Sequence, residues 1–309
     1  MSYLIADPKN KNARPAPDYA DYRDPTFRPE FVADMERVSP CQRQHPNGVA
    51  VLRYDARQFD FCGLVGDTLA AAGMLDRVAL AARGNRLEYL HELVAAENQA
   101  MDSSQQSAAA KALYEMPARF GALYERLLAE IVVPQLGVGP AHFQRTPTFR
   151  VFFPNAPGYP GETSYHSDIM IGHNPREVNV FVPLVRCEAT RSLLFAELPE
   201  SLELLREYDY DFARFGSDTQ NDPVLMERCA RMCQPLEVDV GDIVVFDSRC
   251  VHAGPANKTP LTRVTFDARV MPVADHATQH NVYQGRGRRR RSEERRVGKE
   301  CRSRWSPYH

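Results

Sequence analysis

The chain has 309 residues, 38 Lys and Arg against 40 Asp and Glu, and 43% hydrophobic residues. That balance suits one large or two small domains with a real core, and it disfavours disorder and nucleic-acid binding through bulk charge. No stretch approaches the roughly 18 uninterrupted apolar residues of a membrane helix, and the opening MSYLIADPKNKNARPAP lacks a basic segment followed by an apolar one, so no membrane partner and a cytoplasmic location are expected.

Residues 1–45, rich in Pro, Asp and Arg without sustained periodicity, read as an extended or mobile arm. GVAVLRY at 48–54 is a short strand candidate. Residues 46–140 are otherwise mostly helical, with LVGDTLAAAGML (64–75), residues 76–101 and MPARFGALYERLLAEIVVPQL (116–136) broken by SSQQS at 103–107. In the last of these, Phe120, Leu123, Tyr124, Leu127, Leu128 and Ile131 share one helical face, with Pro117 near the start and Pro134 as the stop. Such a face packs against something flat.

From 141 to 275 the period switches to two. Candidate strands are 149–153, 178–184, 192–197, 236–240, 243–247 and 262–270. Successive strands with no βαβ rhythm and no Gly-rich phosphate loop exclude Rossmann and P-loop architectures and predict a β-sandwich or jelly roll under a helical layer. The fold class is therefore mainly β with α. Residues 276–309 read as an irregular tail. Within it, RSEERRVGKECRSRWSPYH (291–309) resembles the translation of a sequencing-library adapter and is expected to be non-native, the native sequence being interrupted near 285–290; a basic tail for nucleic acid is the other reading of this run and of GRGRRRR before it. The cysteines, at 41, 62, 187, 229, 233, 250 and 301, are scattered, and Cys229 and Cys233 lack a second pair to complete a zinc site, so free thiols are expected.

The strand at 262–270 sorts Val264, Phe266, Ala268 and Val270 onto one face and Arg263, Thr265, Asp267 and Arg269 onto the other. An all-polar face either meets solvent or lines a wet pocket. His166 and Asp168, two apart in SYHSDIMIGH, point the same way in an extended segment, and His252 closes FDSRCVH. Two imidazoles and one carboxylate on one side of a metal form the facial triad of non-haem Fe(II) oxygenases. Arg263 and Thr265 would then supply a guanidinium fork and a hydroxyl for a carboxylate.

The order His-x-Asp, Gly-Asp turn, strand, His, Arg-x-Thr resembles the Fe(II)/2-oxoglutarate-dependent dioxygenases of the double-stranded β-helix fold. YHSDIMIGHNPREVNVFVPL and VDVGDIVVFDSRCVHAGPANKTPLTRVTFDARVMP are similar to the oxygenase-like proteins of the streptomycin-biosynthesis StrG type and their phytanoyl-like relatives, over about residues 145–273. The resemblance implies that His166, Asp168 and His252 ligate Fe(II), that Arg263 and Thr265 hold the distal carboxylate of 2-oxoglutarate, and that O2 is the second cosubstrate. It implies hydroxylation or desaturation, since the related halogenases carry a small residue where Asp168 stands. Asn179 is a plausible contact to cosubstrate or substrate, and His173, Arg150, Asp267 and Arg269 are candidates for a small polar metabolite of a biosynthetic pathway. Two other readings stay open, a cupin-like metal enzyme without 2-oxoglutarate and a non-catalytic jelly-roll ligand-binding module. The oligomeric state is not legible in the sequence.

Overall fold

The computed structural model describes residues 25, 28–102, 106–115, 118–156, 165–171 and 173–276. Most of the arm at 1–24, part of the Ser/Gln break, and the tail from 277, including Cys301 and the adapter-like run, lie outside the described residues. Among the described residues no helix is long and apolar enough to cross a membrane.

The described residues form nine strands: β1 (Val49–Arg53), β2 (Ala141–Phe143), β3 (Thr148–Phe152), β4 (Val178–Pro183), β5 (Leu194–Phe195), β6 (Gln234–Pro235), β7 (Asp242–Asp247), β8 (His252–Ala253) and β9 (Arg263–Pro272). The larger sheet has six, in the order β1-β7-β4-β9-β2 with β3 also on β9, and all its pairs are antiparallel. The smaller has the order β6-β5-β8, extended by a bridge between His166 and His252. This is the expected jelly roll. Its central strands β4 and β7 are buried along their whole length, as happens when both faces of a sheet are covered.

The apolar side of β9 packs against helices. Phe266 lies 5.1 Å from Phe61 of the helix Phe61–Ala71 and 5.7 Å from Phe120 of the helix Ala118–Leu127, with Tyr124 and Phe149 completing an edge-to-face cluster. Such pairs contribute about 0.5–1.5 kcal/mol each beyond their burial. The amphipathic helix therefore has the flat partner its stripe requires. It does not stop at Pro134: a π-helical turn, Leu128–Val132, is followed by Val133–Gln135. Widening the helix just before the proline accommodates a ring that would otherwise clash one turn back.

Two segments depart from the sequence reading. Residues 28–44, expected as an extended arm, contain the helices Arg28–Glu36 and Pro40–Gln44, the second capped by the Ser39 hydroxyl. Between β5 and β6 the chain forms three further helices, Leu198–Glu207, Phe212–Asn221 and Pro223–Met232, so helical residues outnumber strand residues. The strand expected at 192–197 shrinks to two residues, and that at 236–240 to a single bridge of Val238 with Cys187. These helices and Arg28–Glu36 build a second hydrophobic core around Phe31, Met35, Phe212 and Phe215, separate from the one under the larger sheet.

The second core also takes Tyr165, Ile169, Met170, Val251 and Ala253. These residues flank His166, Asp168 and His252 in the chain, so the segments bearing the three candidate ligands are anchored from outside by apolar burial.

Candidate metal centre

His166 and His252 exchange both backbone hydrogen bonds, at 3.0 and 2.8 Å, which sets their rings side by side with centroids 4.5 Å apart. Asp168 opens a short 3-10 turn, Asp168–Ile171, and its amide donates to Ser248 O at 3.0 Å. Its Oδ1 lies 4.0 Å from His166 Nε2 and 3.7 Å from His252 Nε2. One donor atom from each residue falls within 4.8 Å of the others, a group that could hold a metal ion. Asp168 and His252 are buried, whereas the His166 side chain is 31% exposed and marks the open side.

The surroundings fit a metal. His252 Nδ1 sits 3.0 Å from the Cys250 carbonyl, which can only accept, so Nδ1 donates and Nε2 presents its lone pair to the centre. Arg269 donates to Asp168 Oδ2 from Nη2 at 2.7 Å and from Nε at 3.2 Å, leaving Oδ1 facing the imidazoles. Burial alone would raise the Asp168 carboxyl. Arg269, with His173, His252 and His166 behind it, more than offsets this and holds the group well below the usual carboxylate range, ready to bind a cation. Two imidazoles and one carboxylate suit Fe(II).

The polar face of β9 is buried rather than solvent-facing. Cross-strand register places Arg150 opposite Thr265, Phe152 opposite Arg263, Asn179 opposite Arg269 and Phe181 opposite Asp267. Arg263 lies between two rings, 5.0 Å from the centroid of Phe152 and 5.5 Å from that of Phe181, and donates to Ser192 O at 2.9 Å. Thr265 Oγ1 and Asn179 Nδ2 are buried with no hydrogen-bond partner. Leaving a buried polar atom unsatisfied costs about 1–3 kcal/mol, which a polar ligand on this face would relieve.

The structure separates the remaining candidates. Arg150 Nε reaches Asp267 Oδ1 at 3.1 Å, and this half-exposed pair remains on the inner wall. Arg269 is turned onto Asp168, whose Oδ2 accepts from it. His173 is 2% exposed, its Nδ1 is 2.8 Å from Glu177 Oε2, and its amide donates to the Asp168 carbonyl. The six described cysteines are free, and burial pushes Cys62 up to about 12 and Cys229 up to about 11. Sequence reasoning missed Gln144, which meets Arg269, and Arg249, whose fully buried pair with Asp247 precedes β8. No motif announces either residue.

A jelly roll carrying His, Asp and His beside the buried polar face of β9 is the arrangement of the Fe(II)/2-oxoglutarate-dependent oxygenases. The chain belongs to the phytanoyl-CoA dioxygenase (PhyH) family, whose model matches residues 33–265. The match begins well before the resemblance that the sequence motifs carried, and so takes in the helical region. Over 140 residues the chain is 26% identical to the streptomycin biosynthesis protein StrG of Streptomyces griseus, covering 45% of this chain and 51% of that protein. It thus spans about half the length of this curated relative. Similar solved structures include the non-heme α-ketoglutarate-dependent carbocyclase SnoK from nogalamycin biosynthesis (15% identity, 77% and 86% of the two chains, TM-score 0.44) and iron-bound EctD from S. alaskensis (14%, 93% and 86%, TM-score 0.42). The family assignment rests on the sequence match and not on these structural similarities.

Proposed function

We propose that the protein is a non-haem Fe(II)/2-oxoglutarate-dependent oxygenase that hydroxylates or desaturates a small polar metabolite of a specialised biosynthetic pathway in the cytoplasm. The observation that carries this reading is the division of labour at Asp168, one oxygen held by Arg269 and the other turned to two imidazoles, on the same interior as Arg263. His166, Asp168 and His252 would hold the iron. When bound, it supplies the activation of O2 that couples oxidation of 2-oxoglutarate to succinate and CO2 with oxidation of a substrate C–H bond.

The protein's part is positioning. Arg263, fixed between Phe152 and Phe181, presents its fork to the distal carboxylate of 2-oxoglutarate, while Thr265 Oγ1 and Asn179 Nδ2 gain the partner they lack. Phe246, 5.4 Å from the His252 ring, keeps one side of the centre dry. The Arg150–Asp267 pair offers both charges to a polar substrate, which supports a metabolite over an acyl chain. A substrate from a pathway like that of StrG follows by analogy only.

The test is an anaerobic titration with Fe(II) and 2-oxoglutarate, following the weak visible charge-transfer band, on the parent and on Asp168→Ala and Arg263→Ala. The expected result is a band in the parent, none with Asp168→Ala, and a 2-oxoglutarate affinity lowered by about tenfold or more with Arg263→Ala. A folded, metal-binding parent that gives no band would overturn the assignment.

A further inference from the structure

Arg263 does not stand alone at its end of the interior. Its Nη1 donates to the carbonyl of Ser192, the residue that follows Arg191, and the Arg191 side chain is 3% exposed. Arg191 ends the short turn Ala189–Arg191, which opens with Ala189 in left-handed backbone at φ 47°. A non-glycine residue holds that conformation only where its surroundings enforce it. The Arg191 amide donates to Glu188 O at 2.9 Å, and the Thr190 hydroxyl accepts from the Lys258 amide at 3.0 Å, so the turn is tied at both ends.

The guanidinium so placed is poorly compensated. Among the described residues its one carboxylate contact is Nη2 to Glu188 Oε1 at 3.3 Å, and Glu188 is 40% exposed and also accepts from Arg186 Nε at 2.8 Å. Arg191 Nε and Nη1 are buried and have no hydrogen-bond partner among the described residues. A buried cation with two idle donors is costly unless an anion completes it. Both guanidiniums act on the buried Cys187 thiol: burial pushes it up to about 11, with Asp239 and Glu188 adding to the rise, while Arg263 and Arg191 pull against it.

We propose that Arg191 is a second guanidinium of the pocket for the distal carboxylate of 2-oxoglutarate, completing with Arg263 a two-arginine clamp. This rests on the oxygenase reading above and adds a residue that the Arg-x-Thr motif does not contain. A carboxylate has two oxygens and about four acceptor directions, enough for both forks. Two cations around one anion also select against keto acids that end in a methyl group, because these would leave both guanidiniums buried without a counter-charge.

The experiment compares two ligands that chelate iron through the same keto acid and differ only at the far end. Anaerobic Fe(II)-protein is titrated with 2-oxoglutarate and with 2-oxopentanoate, for the parent, Arg191→Gln and Arg191→Lys. The expected outcome is that Arg191→Gln weakens 2-oxoglutarate by about tenfold and Arg191→Lys by about threefold, with 2-oxopentanoate bound as in the parent. Unchanged 2-oxoglutarate affinity in either variant, or equal weakening of both ligands, overturns the clamp while the parent's preference for 2-oxoglutarate still upholds the oxygenase site. A parent that does not prefer 2-oxoglutarate over 2-oxopentanoate sinks both. The 2-oxopentanoate titration doubles as the control for folding, and the lysine variant keeps the buried charge if the glutamine variant proves unstable.

Discussion

At the scale of single residues, the most consequential contact is the grip of Arg269 on Asp168. A carboxylate that binds metal through one oxygen must be kept from rotating, and a two-donor guanidinium on the other oxygen does this more firmly than a single charge. Arg269→Gln is therefore expected to weaken metal binding by about 10- to 100-fold, with Arg269→Lys intermediate, as measured by Co(II) titration of the apoprotein. The ratio of 2-oxoglutarate to 2-oxopentanoate affinity should stay at the parent's value, since Arg269 acts through Asp168 and not on the distal carboxylate. A changed ratio with intact metal affinity would place Arg269 among the ligand-contacting residues instead.

At the scale of elements, what was legible follows from which signals are local. Strand β9 was readable because its alternation is strict, and the stripe of Ala118–Leu127 because Phe120, Tyr124 and Leu127 recur at helical spacing. The triad was readable because His166 and Asp168 are near neighbours in a recognisable string, with His252 at the end of a strand region. The three helices from Leu198 to Met232 were not foreseen, although Asp211 and Asp222 cap the second and the last of them and Pro223 opens the last. Their runs are polar on average, and only packing against Phe31 and the ligand-bearing segments gives their apolar faces a purpose. The grip of Arg269 on Asp168 was not foreseen for a related reason, since alternation shows which face a side chain takes and not which neighbour it meets. The anchoring role of the second core is testable by contrast. Phe212→Ala there and Phe61→Ala in the first core each empty a fully buried aromatic site, at a cost of about 3–5 kcal/mol. Thermal unfolding should show similar losses, but only Phe212→Ala should also loosen Co(II), because only its core holds Tyr165, Ile169 and Val251.

At the scale of the whole molecule, buried ion pairs join the N-terminal helices to the sheets, Arg176 with Asp34 at 2.9 Å and, more extensively, Arg249 with Asp247. Arg249 and Asp247 are both fully buried, with Nε and Nη2 of Arg249 each 2.8 Å from an Asp247 oxygen. The same guanidinium donates at 2.9 Å to the carbonyls of Met35 and Arg37 and to Gln42 Oε1, while Ser39 donates its hydroxyl to Asp247. One arginine, three residues before His252, thus ties the helices Arg28–Glu36 and Pro40–Gln44 to the end of β7. Arg249→Met leaves Asp247 ionised in the interior with only Ser39 and backbone for company, and breaking a buried pair in this way costs about 3–5 kcal/mol. Removing the second charge as well, in Arg249→Met with Asp247→Asn, should return a large part of that loss, because the desolvation of a lone carboxylate disappears. Denaturant unfolding of the single and double variants measures this directly. Additive losses would mean that the cost lies in the severed ties to Met35, Arg37 and Gln42, making the N-terminal helices a clamp held by hydrogen bonds more than by charge.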